Sequence, residues 1–177
     1  MKGRGGAVPR SKGRGATAPA AGRPGKREEI GVALVGWGTI GSGVIKLLRD
    51  RGREIDARLG ARLRLVGVAD IDLTRKREVA VARHLLTSRT QELIRDPKVD
   101  VVIELMGGLE PARRFVLDAI AHGKSIVTAN KALLAHHGAE ILAAAEARGV
   151  GFQFEASVGG GIPIIGTLRE ALAAERQ

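Results

Sequence analysis

The 177-residue chain has no cysteine and no tyrosine, and only one tryptophan and three phenylalanines. Without cysteine, neither a disulfide framework nor a thiolate metal site can form. That composition suits the cytoplasm, where the protein is expected to act. With so few aromatics, the core has to be assembled from Val, Ile, Leu and Ala. No apolar run approaches the ~20 residues of a membrane span, so no membrane partner is expected. The basic N-terminus is followed by no apolar stretch of the kind a secretory signal carries.

Acidic residues are missing from the first 27 positions, which hold eight basic ones: Lys2, Arg4, Arg10, Lys12, Arg14, Arg23, Lys26 and Arg27. The other 21 Lys and Arg face all 19 acids, so the formal charge of +10 belongs almost wholly to this tail. Rich in Gly, Ala, Pro and Arg, residues 1–29 cannot bury a core and are expected to be disordered. A solvated extension and a start codon placed too far upstream both explain them. The tail lacks the aromatic residues on which nucleic-acid surfaces stack bases, so nucleic acid is not an expected partner.

What the chain does have begins at Ile30. The run Ile30-Gly-Val-Ala-Leu-Val feeds into Gly36-Trp-Gly38-Thr39-Ile40-Gly41 and then into an apolar pattern at helical spacing. Each glycine of such a Gly-x-Gly-x-x-Gly turn has its own task. Gly36 allows the sharp exit from the strand, Gly38 lets a pyrophosphate approach the backbone, and Gly41 lets helix and strand pack closely. The unpaired N–H groups and positive dipole end of the following helix would face the phosphates.

Short β-rich runs then alternate with longer helical ones, which predicts a Rossmann-type, doubly wound parallel α/β sheet. Strands are expected at 30–35, 63–69, 99–105, 124–128 and 151–155. Helices are expected at about 40–58, 74–83, 89–95, 111–122, 137–148 and 163–174. Pro111 suits the first helical position of its segment, while Gly123 and Gly149 suit helix ends. His136 and His137 read as a helix-start pair rather than as ligands. In a sheet of this kind the ligand lies across the carboxyl ends of the strands. There stand Gly36–Gly41, Asp70, Met106-Gly107-Gly108, Thr128-Ala-Asn-Lys131 and Glu155–Ile162. Asp70, ending the second strand, is placed to accept hydrogen bonds from an adenosine ribose, which favours NAD. Arg75, Lys76 and Arg77 just beyond could instead hold a 2′-phosphate and admit NADP, or simply be solvated. The residues leave NAD and NADP both open.

Three segments together carry a family resemblance: Gly36-Trp-Gly-Thr-Ile-Gly-Ser-Gly-Val44, Glu104-Leu-Met-Gly-Gly-Leu-Glu-Pro-Ala112 with Thr128-Ala-Asn-Lys131, and Glu155-Ala-Ser-Val-Gly-Gly-Gly-Ile-Pro163. In this order, from about Ile30 to Ala173, the chain resembles homoserine dehydrogenase. That family interconverts L-homoserine and L-aspartate 4-semialdehyde with NAD or NADP, on the route to threonine, methionine and isoleucine. The resemblance implies that Gly36, Gly38, Thr39, Ile40 and Gly41 hold the pyrophosphate. It also implies that Met106, Gly107 and Gly108 run past the nicotinamide ribose, with Thr128 beside them. Lys131 would reach cofactor and reacting oxygen as a catalytic cation, where negative charge develops on oxygen.

By the same resemblance Glu155, Val158, Gly160 and Ile162 would offer oxygens to Na⁺, a hard cation suited to them. A glycine-rich hinge without metal is the alternative reading of that segment. The implied organisation is a nucleotide-binding domain over 30–156, with 157–177 opening a second domain that is cut off. That second domain would bring the substrate contacts, the proton-donating lysine and the homo-oligomer interface, so this stretch alone is expected to lack turnover. A related amino-acid-pathway reductase and a non-catalytic nucleotide-binding module are the rival readings.

Overall fold

The computed structural model describes residues 28–168; the expected basic tail 1–27 and the end of the expected last helix lie outside them. Its core is a six-stranded sheet formed by β1 (Glu29–Val35), β2 (Arg62–Ala69), β3 (Leu86–Thr87), β4 (Val101–Glu104), β5 (Ser125–Thr128) and β6 (Phe152–Gln153). Every pairing is parallel, and the order is β3-β2-β1-β4-β5-β6. The chain winds outward from β1 in one direction and then, from β4, in the other. The crevice between β1 and β4 is therefore the topological switch point.

The apolar strands are covered on both faces, as continuous hydrophobic runs in parallel sheets require. One face carries Ala33, Val35 and Val102, packed under α2 (Thr90–Arg95), α3 (Ala112–Ala121) and α4 (Lys131–Arg148). On the other, Leu34 and Val68 meet Ile45 of α1 (Thr39–Leu59) and, beyond it, Trp37 and Val79. Leu34, Ile126 and Ile141 are fully buried, each contributing about 1.5–3 kcal/mol of burial. Lys124 is buried too, and its Nζ donates to the carbonyls of Asp96 and Val99 at 2.9 and 2.6 Å. It pins the loop before β4 at the edge of the sheet remote from the glycine turn.

Three expectations need correction. No helix forms over 74–83: the stretch is turns and extended loop, leading to one 3-10 turn at Arg83–Leu85 and then β3. Asp72 folds into a local turn, its Oδ1 accepting from the Thr74 and Arg75 N–H groups and the Thr74 hydroxyl, all near 3 Å. Its carbonyl, which a helix would pair with a backbone N–H, accepts from Arg77 Nη2 instead, and side-chain bonds of this kind compete with helical pairing. The helix expected at 137 starts six residues earlier, since Asn130 caps it by accepting from the Leu133 N–H at 3.1 Å. His136 and His137 therefore lie in its second turn. The last strand is only Phe152–Gln153, and Glu155–Val158 form a short helical turn, α5.

Two smaller shifts concern element ends. Pro111 precedes α3 at its cap rather than occupying its first turn, and Glu29, assigned to the tail, already pairs with Arg62 in β1. Gly123 and Gly149 do end their helices with positive φ, at 73° and 67°.

Candidate functional site: the carboxyl edge of the sheet

The parallel register sets Ala69, Val35, Glu104 and Thr128 in one row across β2, β1, β4 and β5. The loops leaving β2, β1 and β4 at this row form the rim of a cavity of about 810 Å³. Gly36 and Gly38 lie on its floor, Asp70 and Ile71 on one wall, Met106 and Gly107 on the other, and Arg114 and Phe115 beyond. Thr128, Lys131 and the Glu155–Ile162 segment are not part of this cavity's lining.

Two glycines of the turn are required by the protein itself. Gly36 has φ 105°, and a Cβ there would lie 2.7 Å from the Leu105 backbone; a Cβ on Gly41 would lie 2.2 Å from the Gly36 carbonyl. Gly38 differs: a Cβ there would meet nothing within 4 Å. No packing among the described residues calls for a glycine there, and the open space leaves its backbone accessible from outside. Gly38 is also the cap residue of α1, has no side chain to satisfy the first amides, and is followed by a first turn without an acid. The N–H groups of Thr39, Ile40 and Gly41 lack helical acceptors by geometry, which makes this end attractive to anions.

At the wall, the Asp70 carboxylate accepts from the Trp37 N–H at 2.6 Å through Oδ2. Its Oδ1 accepts from the Asp72 N–H at 3.0 Å and from Arg77 Nη2 at 3.2 Å. Both partners of that ion pair are largely buried, with side chains 11% and 13% exposed. Arg77 also donates to the Asp72 carbonyl and lies 5.5 Å over the Trp37 ring. Of the three cations beyond Asp70, it is Arg77 that the fold brings to the acid. Arg75 is exposed and reaches Asp72 only through its backbone. Neighbouring Asp72 is held below the usual carboxylate range, first by the Thr74 hydroxyl and then by the Thr74 and Arg75 N–H groups.

On the opposite side Glu104 is buried, and one oxygen accepts from the Met106 and Gly107 N–H groups at 2.9 and 3.3 Å. Its other oxygen accepts from the Thr128 hydroxyl at 2.6 Å. That hydroxyl in turn accepts from the Asn130 N–H, and Asn130 Nδ2 donates to the Gly108 carbonyl at 2.7 Å. Thr128 is thus a buried link of a network rather than an open contact. Lys131 stands immediately after Asn130, exposed, as the first residue of α4. Glu104 and Asn130 lie within the segments singled out in the sequence, but neither is given a role there. The available signal for Glu104 was one acid closing an otherwise apolar strand.

The oxygens named for Na⁺ are partly committed. The Glu155 carboxylate accepts from the N–H groups of Ile165 and Gly166, and the Ile162 carbonyl accepts from the Ile164 N–H. Val158 and Ile162 are 50% and 64% exposed. No cluster of three His, Asp or Glu suited to a metal occurs among the described residues.

The parallel sheet, the glycine turn between β1 and α1, and a cavity at the switch point define a Rossmann-type dinucleotide-binding domain. Residues 36–155 match the family model described as "Homoserine dehydrogenase, NAD binding domain", and the chain belongs to the homoserine dehydrogenase family. It is 44% identical over 147 residues to the homoserine dehydrogenase of Bacillus subtilis, covering 83% of this chain and 34% of that protein. To the enzyme of Corynebacterium glutamicum it is 46% identical over 147 residues, again 83% of this chain but 33% of the relative. A crystal structure of a homoserine dehydrogenase from Thiobacillus denitrificans superposes with a TM-score of 0.77 at 48% identity, covering 84% of this chain and 34% of that one. The chain spans about a third of the length of the curated relatives it matches. The matched region is the one described as the family's NAD-binding domain, and it contains most of the cavity's lining.

Proposed function

We propose that this chain is the cofactor-holding part of an oxidoreductase that interconverts L-homoserine and L-aspartate 4-semialdehyde. Gly38 carries the reading. It is a glycine with open space before it, on the floor of the cavity, at a helix start free of acids. When bound, the dinucleotide supplies the hydride chemistry. The chain's own residues bind and orient it: the α1 amides take the pyrophosphate, Asp70 and Ile71 the adenosine end, and Met106 to Gly108 the nicotinamide ribose.

Lys131 serves as the catalytic cation in this reading. It is exposed one helix cap away from Thr128, and a positive charge there favours the negative charge developing on the reacting oxygen. Residues 157–177 lead into the substrate domain, through which a homo-oligomer forms in the cytoplasm. The Na⁺ assignment to Glu155, Val158, Gly160 and Ile162 draws its support from the resemblance alone.

The same reading favours NADP over NAD. A free Asp70 carboxylate would repel a 2′-phosphate, but here Arg77 is paired with it. The test is a titration of the 177-residue chain with NADH and NADPH, followed through Trp37, its one tryptophan. Saturable quenching by either supports the cofactor reading, and tighter NADPH supports NADP. In Arg77→Ala, NADPH affinity is expected to fall roughly tenfold or more while NADH changes little, the cost of an unshielded like charge. No quenching by either ligand in the native chain would sink the proposal.

A further inference from the structure

Glu104 is 1% exposed at the end of a central strand and makes no ion pair among the described residues. Its three hydrogen bonds are all ones in which it accepts: from the Met106 and Gly107 N–H groups and from the Thr128 hydroxyl. Because the Thr128 oxygen already accepts from the Asn130 N–H, the hydroxyl proton is left for the carboxylate. The ionised form therefore satisfies every donor present. A neutral glutamine would keep the oxygen that accepts from the two loop amides and give up only the acceptor of the Thr128 hydroxyl. Shape does not call for the charge. A buried carboxylate is costly without a counter-cation, so its retention asks for a positive charge brought from outside.

We propose that Glu104 biases the site electrostatically toward the oxidised, cationic nicotinamide and against the reduced, neutral one. This rests on the proposed function, in which Met106–Gly108 run along the nicotinamide half of the ligand; Met106 and Gly107 do line the cavity. The two loop amides are turned down onto Glu104, so the loop cannot offer them to the ligand. What it conveys instead is the field of the carboxylate beneath it. In a site shielded from water a unit charge acts over several ångströms. The pair of dissociation constants, oxidised and reduced, is what this field sets. By linkage, a site holding the oxidised form more tightly makes the bound couple harder to reduce. Glu104 is in this sense a tuning residue that touches neither substrate nor reacting atoms.

The experiment is calorimetric titration of the full 177-residue chain with NADP⁺ and with NADPH, native and Glu104→Gln, with thermal unfolding as the check on folding. The ratio of the oxidised to the reduced dissociation constant is expected to rise about tenfold in Glu104→Gln, mainly through weaker NADP⁺ binding. That is the scale for unit charges about 10 Å apart at an effective dielectric near 20. If both constants move in step and the ratio stays put, Glu104 merely shapes the loop and the inference falls. Glu104→Met covers the case in which the glutamine variant does not fold. It removes the charge with a side chain of similar length, so the ratio must rise in it as well, and an unmoved ratio overturns the inference. Failure of the native chain to bind either nucleotide would overturn both the inference and the cofactor reading, whereas binding with an unmoved ratio overturns the inference alone.

Discussion

Asn130 joins two pieces of the site with one side chain, which makes its removal a quantitative test of the network. Its Oδ1 caps α4 at the Leu133 N–H, and its Nδ2 holds the Gly108 carbonyl at 2.7 Å. The residue is 6% exposed, and Leu133 is fully buried. In Asn130→Ala the lost cap costs about 1 kcal/mol. The Gly108 bond contributes about 1 kcal/mol, and stranding a buried N–H brings the total to roughly 2–3 kcal/mol. For a chain of this size each kcal/mol lowers the melting temperature by about 2–4 °C, so a drop of roughly 5–10 °C is expected. Asn130→Ser keeps an oxygen to cap the helix and loses only the reach to Gly108, so it should cost about half as much. The assay is reversible unfolding followed by circular dichroism, by heat and by urea. An alanine variant as stable as the native chain would refute the reasoning, as would a serine variant no better than alanine. Either result would mean that α4 and the Gly107-Gly108 loop are held by packing alone.

The two glycines that differ in their surroundings should separate stability from binding. Gly41→Ala drives a methyl group toward the Gly36 carbonyl and should cost about 1–3 kcal/mol in urea unfolding. Gly38→Ala meets nothing in the protein, so stability should change by about 1 kcal/mol at most while dinucleotide affinity falls roughly tenfold or more. Equal effects on both properties would contradict the division of tasks. Asp72 titrates below the usual carboxylate range because the folded turn donates to its ionised form. Its contribution is therefore complete above the unfolded-state value and lost as pH falls through the lower folded value. Asp72→Asn should make the urea midpoint less sensitive to pH from the usual carboxylate range downward, and an unchanged acid limb would refute this. A polypeptide of residues 1–177 alone should oxidise homoserine at least about a thousandfold more slowly than a full-length relative, by NADPH absorbance. Comparable rates would place the substrate chemistry within these residues.

Much of the architecture was legible one segment at a time. Continuous apolar runs mark strands covered on both faces, so β1, β2 and β4 were visible within about two residues of their ends. The glycine turn was legible because strand, spacing and helix all constrain it locally. The misread stretches are those where side chains compete with the backbone. The stretch 74–83 looks like a helix in one dimension and is turns in three, because Arg77 folds back to take the Asp72 carbonyl and the Asp70 carboxylate. Asn130 reads as one polar residue among others until its amide is found spanning to Gly108.

By itself the sequence determined the class of fold, the glycine turn and the family, because each depends on residues close together along the chain. Tertiary structure alone decided which charges meet. Parallel register puts Glu104 beside Thr128 across 24 residues, and the loop after β2 folds Arg77 rather than Arg75 onto Asp70. Ion pairs and buried acceptors depend on distances of about 3 Å, and such distances are set by packing between elements.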